Sequence, residues 1–210
     1  MDGITLALDA STYEGSVAVF RGAHLVAERT VAMRGEREER LMPAVTQVLE
    51  SAGVTAGAVT RLVCGDGPGS FTSLRIAAAI AKGFASATRA PLHAISSLAL
   101  AAVDAGTGRW LVTLDALRGE VYAAVFAWDG TALEELSGPT VIAQGEAASL
   151  AASLAAIVIP GRPHARAAGP LLAHVITAGA VDLAGWEPNY GRRPEAQVRW
   201  EAAHGGPLAP

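Results

Sequence analysis

Leu8-Asp9-Ala10-Ser11-Thr12-Tyr13-Glu14-Gly15-Ser16-Val17-Ala18-Val19-Phe20 returns 106 residues later as Leu114-Asp115-Ala116-Leu117-Arg118-Gly119-Glu120-Val121-Tyr122-Ala123-Ala124-Val125-Phe126. Laid one on the other without a gap, seven of the 13 positions are identical. A shared hairpin composition produces two or three such matches, and seven in register point to a duplicated lobe. Each copy reads as a short apolar strand closed by an aspartate, a polar turn and a second apolar strand.

Outward from the first copy, Ile4–Asp9, Ser16–Phe20 and Leu25–Val31 read as an antiparallel meander, with Arg21-Gly22 as a hairpin turn. A helix is expected from Glu36, with Leu41, Met42, Val45, Val48 and Leu49 on one stripe and Gly53 past its end. Pro43 should kink it or mark its true start nearby. Arg61–Gly65 reads as a strand, about Phe71 to Thr88 as a helix rich in alanine, Leu92–Ile95 as a strand, and a third helix follows with Ser96 or Ser97 as its cap. The order then restarts. Trp110–Asp115, Val121–Trp128 and Leu133–Leu136 read as strands, Gly145–Ala156 as a helix, Ile157–Ile159 as a strand and Ala165–Ala178 as a helix. The expected domains are residues 1–106, a smaller second lobe at 107–201, and a flexible tail at 202–210.

The chain has 210 residues, 51% hydrophobic and 17% charged, with a formal net charge of −4. This apolar fraction excludes a disordered chain, and the acidic balance excludes gripping nucleic acid by overall charge. One cysteine, Cys64, excludes a disulfide framework and a cysteine-based zinc site, and fits a reducing compartment. No basic stretch precedes the first strand, and the longest low-charge stretch, about 138–161, contains Gln144, Glu146 and serines. A cytoplasmic chain without membrane spans is the expectation. The 45 alanines and the 15 arginines against one lysine read first as coding-genome bias.

Two aspartate-closed hairpins facing one another across a cleft are the phosphate grips of the actin-like ATPase and sugar-kinase architecture. The fold class expected is α/β, with duplicated RNase H-like lobes of the actin-like ATPase (ASKHA) superfamily and mixed sheets flanked by helices. Backbone N–H groups and the Ser11 and Thr12 hydroxyls could hold phosphate oxygens while a carboxylate orients metal-bound water. Alone, Asp9 or Asp115 reads as a turn initiator. As a pair they read as inherited architecture, which does not imply retained chemistry. The loop Gly65-Asp66-Gly67-Pro68-Gly69-Ser70 joins a strand to a helix N-terminus, where an anion is favoured. It lacks the Gly-Lys-Ser/Thr of a Walker A loop and the Gly-x-Ser-x-Gly of a nucleophile elbow. Asp9, Ser11, Thr12, Gly67, Gly69, Ser70 and Asp115 are therefore candidates for vestigial phosphate loops. No two of His24, His93, His164, His174 and His204 share metal-ligand spacing. Each reads as a surface or loop residue, and no metal site is expected.

Gly67-Pro68-Gly69-Ser70-Phe71-Thr72-Ser73-Leu74-Arg75-Ile76, then Ala81-Lys82-Gly83, Pro91-Leu92 and Ile95-Ser96-Ser97-Leu98, closely resemble the TsaB (YeaZ) family. The segments 8–12, 16–19 and 114–122 fit its two hairpins, and Pro188-Asn189-Tyr190-Gly191-Arg192 resembles its C-terminal Pro-x-Tyr-x-Arg. The resemblance covers about residues 4–201. It implies a non-catalytic subunit that binds and activates a TsaD-type transferase, which places threonylcarbamoyl on a tRNA adenosine, with a TsaE-type ATPase joining the complex. It implies that the positions of the transferase's metal-binding His-x-x-x-His pair are Ser97 and Ala101 here. It implies a partner interface on the first two helices: Leu41, Met42, Val45, Leu49, Phe71, Leu74, Arg75, Ala78, Ala81 and Lys82, with part of each stripe turned to the chain's own sheet. A homodimer through the same helices is expected when the partner is absent. No intrinsic cofactor is implied, with ATP or ADP at the complex interface, no stable tRNA binding by the chain alone and no membrane partner.

Ser73, Ala77 and Arg37 depart from the family pattern, the first two adding bulk at helix contacts. The second lobe is expected to be compact, leaving little room for a nucleotide cleft. Arg192, Arg193 and Arg199 read as a solvated basic tail. The alternative to the family reading is a free-standing actin-like ATPase or kinase, with Asp9 and Asp115 holding Mg-nucleotide between the lobes. A metalloprotease is disfavoured by the missing histidine pair.

Overall fold

The computed structural model describes residues 3–35, 38–192, 200 and 203–205. The expected helix start at Glu36, the departure at Arg37, Arg193 and Arg199 of the basic tail, and most of the expected tail 202–210 lie outside them.

Two mixed sheets form from two meanders. The first has the order β3-β2-β1-β4-β5, from β1 (Ile4–Asp9), β2 (Glu14–Arg21), β3 (His24–Ala32), β4 (Val59–Gly65) and β5 (Leu92–Ile95). The second has the order β8-β7-β6-β9, from β6 (Gly108–Asp115), β7 (Glu120–Trp128), β8 (Leu133–Ala143) and β9 (Ile157–Pro160). In each, the first strand pairs antiparallel with the second and parallel with a later one, β4 or β9. The duplication is therefore one of topology.

In the hairpin itself the repeat slips by one residue. Asp9 pairs with Ser16, whereas Asp115 pairs with Val121. Tyr122, which stands 106 residues after Ser16, pairs with Leu114. Leu114 thus takes the ladder position of Asp9, and Asp115 lies one residue further on. The pleat agrees: Leu8 lies in the core under the first two helices, while Leu114 lies in the core on the opposite kind of face. The ungapped match holds for the second strand and fails for the first, because the second turn is one residue shorter.

The helices are α1 (Leu41–Ser51), α2 (Phe71–Thr88), α3 (Ser97–Asp104), α4 (Ala147–Ser153) and α5 (Ala168–Ala178). α1 begins at Leu41, where the Glu39 carboxylate accepts hydrogen bonds from the Leu41 and Met42 amides. Pro43 falls in its first turn, where its missing N–H costs nothing. α1 and α2 cover one face of the first sheet, and α4 covers one face of the second.

The other two faces are closed by exchange. α3, which ends the first lobe, sets Leu98, Ala99, Ala101 and Ala102 on the second sheet. α5, which follows the second lobe in sequence, sets Leu171, Leu172 and Val175 on Phe20, Ala18 and Val63 of the first. Residues 165–178, assigned to the second lobe by chain order, therefore pack on the first sheet. The reason is area: β2 and β4 present apolar residues on both faces and need a helix on each.

Gly169 lets α5 approach closely, because a Cβ there would lie 2.7 Å from Cε1 of Phe20. Alanine in place of a helical glycine ordinarily stabilises by about 1 kcal/mol. Gly169→Ala is predicted to do the opposite in urea unfolding, losing about 1–2 kcal/mol through overpacking. Phe20→Leu in the same chain should recover part of that loss.

Candidate functional site

Asp9 ends β1 fully buried. Its Oδ1 accepts from the Ser11 amide at 2.9 Å and the Ser11 hydroxyl at 2.8 Å. Its Oδ2 accepts from the Ser97 hydroxyl at 2.5 Å. Ser97 Oγ in turn accepts from the Gly67 amide at 3.0 Å, and the Ser97 amide donates to the Gly67 carbonyl at 2.9 Å. Ser70 N–H donates to the Ser11 carbonyl at 2.7 Å. The carboxylate thus ties the first turn, the glycine loop and α3 together.

Two glycines are required by this geometry. A Cβ on Gly69 would run into the Ser11 backbone, and Gly67 has φ +98 against the Asn189 carbonyl. Burial pushes the Asp9 carboxyl above the ordinary carboxylate range, against the pull of the Ser97 and Ser11 hydrogen bonds. Burial and the neighbouring Asp9 push Asp66 up to about 6. Burial, with Asp9 and Asp66 beside it, raises the Cys64 thiol well above its usual value, so this cysteine is an inert core residue.

A cleft of about 930 Å³ opens between the two hairpin turns. Ser11, Thr12, Gly69, Ser70 and Asp115 line it, whereas Asp9 lies buried beneath its floor. The second lobe therefore leaves more room than its compact sequence suggested. Its chemistry is one-sided, however. Asp115 is exposed and accepts from the Leu117 amide at 2.7 Å, an ordinary turn contact. Leu114, not a carboxylate, stands where Asp9 stands in the first lobe.

The remaining wall comes from the C-terminal segment, which sequence periodicity did not place. Tyr190 packs against Phe71 in a tilted pair, with ring centroids 4.5 Å apart and an interplanar angle of 44°. The Tyr122 hydroxyl donates to the Tyr190 carbonyl at 3.1 Å, and the Asn189 amide donates to the Asp66 carbonyl at 2.7 Å. Arg192, expected in a solvated tail, pairs with Glu120 and lies 5.9 Å from the centroid of the Tyr122 ring. Only the Pro-x-Tyr-x-Arg resemblance signalled this segment.

The partner-interface residues divide sharply. Leu41, Val45, Leu49, Leu74, Ala78 and Ala81 are all buried within this chain. Leu41, Val45, Leu49 and Ala81 of this set pack in the core under the first sheet. Met42 and Phe71 are exposed at 41% and 39%, and Arg75 is exposed beside Phe71 at 5.4 Å. Lys82 is half-buried under the C-terminal segment, 5.7 Å from the Trp186 ring and 3.9 Å from Glu187. Ser73 and Ala77 also point inward, and Ser73 Oγ meets Ser70 Oγ at 3.0 Å. Their extra bulk is absorbed within the chain.

Ser97 and Ala101 are buried, with Ser97 committed to Asp9. These two side chains do not fit a metal. Among the described residues no group of three His, Cys, Asp or Glu side chains converges as a metal site. One histidine is not the surface or loop residue expected: His93, on β5, is buried with Nδ1 at 2.8 Å from the Gly179 carbonyl. His164, in a loop, lies between two carboxylates. Among the described residues no helix is long and apolar enough to cross a membrane.

Two meander lobes, each with a parallel strand and helices, closing a cleft over opposed turns, define the duplicated RNase H-like class of the actin-like superfamily. Residues 32–174 match the family described as TsaD: tRNA N6-adenosine threonylcarbamoyltransferase. TsaB of Escherichia coli K12 is 33% identical over 147 residues, 65% of this chain and 63% of that protein. TsaB of Bacillus subtilis 168 is 31% identical over 133 residues, 62% of this chain and 58% of that protein. The matches thus span less than two thirds of these relatives' length. An uncharacterised protein of Mycobacterium tuberculosis H37Rv is 31% identical over 211 residues, covering 91% of this chain and 93% of its own. The solved structure of YeaZ from Pseudomonas aeruginosa superposes with a TM-score of 0.75 at 25% identity, covering 90% of this chain and 99% of that one. The chain belongs to this family, on its TsaB (YeaZ) side.

The Asp66 carboxyl gives a signed pH prediction. A carboxyl held near 6 when folded and near 3.9 when unfolded binds protons more tightly in the folded state. Its contribution to stability is therefore greatest below about pH 4, falls as pH rises to about 6, and is flat above. Asp66→Asn should match the native chain at low pH and exceed it at pH 7 by up to about 3 kcal/mol, read as the difference between two urea titrations.

Proposed function

We propose that the chain is a non-catalytic subunit of tRNA N6-threonylcarbamoyladenosine biosynthesis that binds and activates a TsaD-type transferase through the outward faces of α1 and α2. The two TsaB relatives carry this pathway in their names. The observation that carries the docking face is Gly83. It is exposed in the interior of an 18-residue helix, and a Cβ there would meet nothing within 4 Å. Glycine at such a position costs about 1 kcal/mol relative to alanine, and among the described residues nothing within 4 Å repays it. Close approach by another helix does. Phe71, Arg75 and Ala79, at four-residue steps from it along the same helix, are exposed, as are Met42 and Thr46 of α1. Ser97 and Ala101, in place of a metal pair, support a subunit that lends surface rather than chemistry.

The same face supports a homodimer of the lone chain, which the transferase would displace. A TsaE-type ATPase would join the resulting complex at another surface, with ATP or ADP held where subunits meet. No stable tRNA binding by the lone chain belongs to this reading.

The cleft of about 930 Å³ favours a second reading, an actin-like ATPase or kinase. Against it stands Leu114, which replaces the second inward carboxylate with an apolar side chain. Calorimetry with MgATP separates the two: the subunit reading expects no magnesium-dependent binding by the lone chain, and micromolar binding would favour the enzyme.

Gly83→Ala should raise the stability of the lone chain by about 0.5–1 kcal/mol, measured by thermal unfolding. Gly83→Trp should leave the fold intact and weaken association with the genome's own TsaD at least about tenfold, equivalent to about 1.4 kcal/mol, measured by sedimentation and calorimetry. Undiminished binding by folded Gly83→Trp would remove this face from the interface.

A further inference from the structure

The one-residue slip in the second hairpin decides what the cleft can hold. It sets Leu114 where the first lobe has Asp9. Leu114, Ala116, Tyr122 and Val141 belong to the apolar core that α3 covers, and the same four residues line the cleft. The floor on this side is therefore apolar. We infer that the cleft is a binding site for an uncharged nucleoside, its base laid against this floor and Leu117, its sugar hydroxyls turned to the polar rim. This inference is independent of partner docking on α1 and α2.

The groups that would grip a phosphate are already engaged. The Ser11 amide and hydroxyl both donate to Asp9, at 2.9 and 2.8 Å. The Thr12 hydroxyl donates to the Glu14 carbonyl at 3.0 Å and accepts from the Glu14 amide at 3.1 Å. Ser70 Oγ meets Ser73 Oγ at 3.0 Å. Among the described residues that line the cleft, formal charge cancels: Arg118 and Arg192 stand against Asp115 and Glu120. Arg192 is paired with Glu120 in addition. A polyanion gains no net attraction from such a lining, and an uncharged ligand needs none.

What the cleft does offer fits a base and a sugar. Tyr13, Phe71, Tyr122 and Tyr190 supply aromatic surface, on which nucleobases of any kind stack. Asp115 is exposed, so its carboxylate is open to a hydroxyl donor. The volume of about 930 Å³ lies within the range of small-molecule clefts.

The turn in the second wall is a separate indication. Leu117 and Arg118 hold left-handed backbone, with φ of +65 and +58, and Leu117 is 57% exposed. Asparagine or glycine would adopt this conformation at less cost, and would form the better hairpin turn. The leucine strains the lone chain and leaves apolar surface in water. A base lying against it removes that surface from water.

Calorimetry and amide NMR on the full chain test this, with adenosine as the probe. Adenosine should bind with a Kd of about 100 μM, with or without magnesium, and shift the amides of Leu117 to Glu120. AMP, MgATP and a short oligoadenylate should each bind no more tightly, which separates a free nucleoside from a phosphorylated or RNA source of the same base. Leu117→Asn should unfold at higher urea than the native chain yet bind adenosine about three- to tenfold more weakly. No amide shift at about 1 mM adenosine would overturn the inference. So would tighter binding of any phosphorylated probe, or a Leu117→Asn chain with native affinity. If Leu117→Asn does not fold, the titrations of the native chain still decide it.

Discussion

A buried carboxylate held by hydroxyl and amide donors is the constraint on which this structure turns. Asp9 lies wholly out of water, where an unpaired anion is expensive. Three donors from Ser11 and Ser97 meet it, and each donor belongs to a different piece of the fold or fixes the turn that follows. Because Ser97 also accepts from Gly67, the carboxylate sets the position of the glycine loop and hence the start of α2. The residue that grips metal-bound water in an active phosphate cleft is here sealed beneath the floor, acting as a structural acceptor. The outward face of α2 inherits its position from that bond network.

The two lobes are held by exchange rather than by contact of finished units. α3 packs Leu98, Ala99, Ala101 and Ala102 on the second sheet while Leu100 and Val103 stay on the first, and α5, which follows the second lobe, covers the first. Neither sheet has both faces closed without the other lobe's helix, so the lobes are expected to fold as one cooperative body. At the cleft rim, Tyr190, Arg192 and Glu120 close one side through the Tyr122–Tyr190 hydrogen bond and the Arg192–Glu120 pair.

Much of the architecture was legible because it rests on local signals. Short apolar runs bounded by Gly, Asp and Ser marked the strands, and the apolar stripe of α1 and the small residues of α2 marked two helices. The strand pairing could not be read so well. The seven identities placed Asp115 on Asp9, yet a turn shorter by one residue moves Leu114 into that place. Sequence identity does not count turn residues, and one residue reverses the side to which a strand presents its side chains. The interface residues show a second limit. An apolar stripe says that a helix face is buried, and not by what. Leu41, Val45, Leu49 and Ala81 lie in the core on this chain's own sheet, and Leu74 and Ala78 are buried as well.

By itself, the sequence determined the element order, the duplicated meander, the family resemblance and the absence of a histidine pair at Ser97 and Ala101, because these depend on residue type and short-range spacing. The tertiary structure alone decided that Asp9 is an internal acceptor and Asp115 a solvent-facing turn residue, that Lys82 lies under Trp186, and that His164 stands between Asp104 and Glu14. Each of these depends on contacts between residues far apart in the chain. Such contacts arise only when the sheets and exchanged helices close, and a local pattern of residues carries no record of that distance.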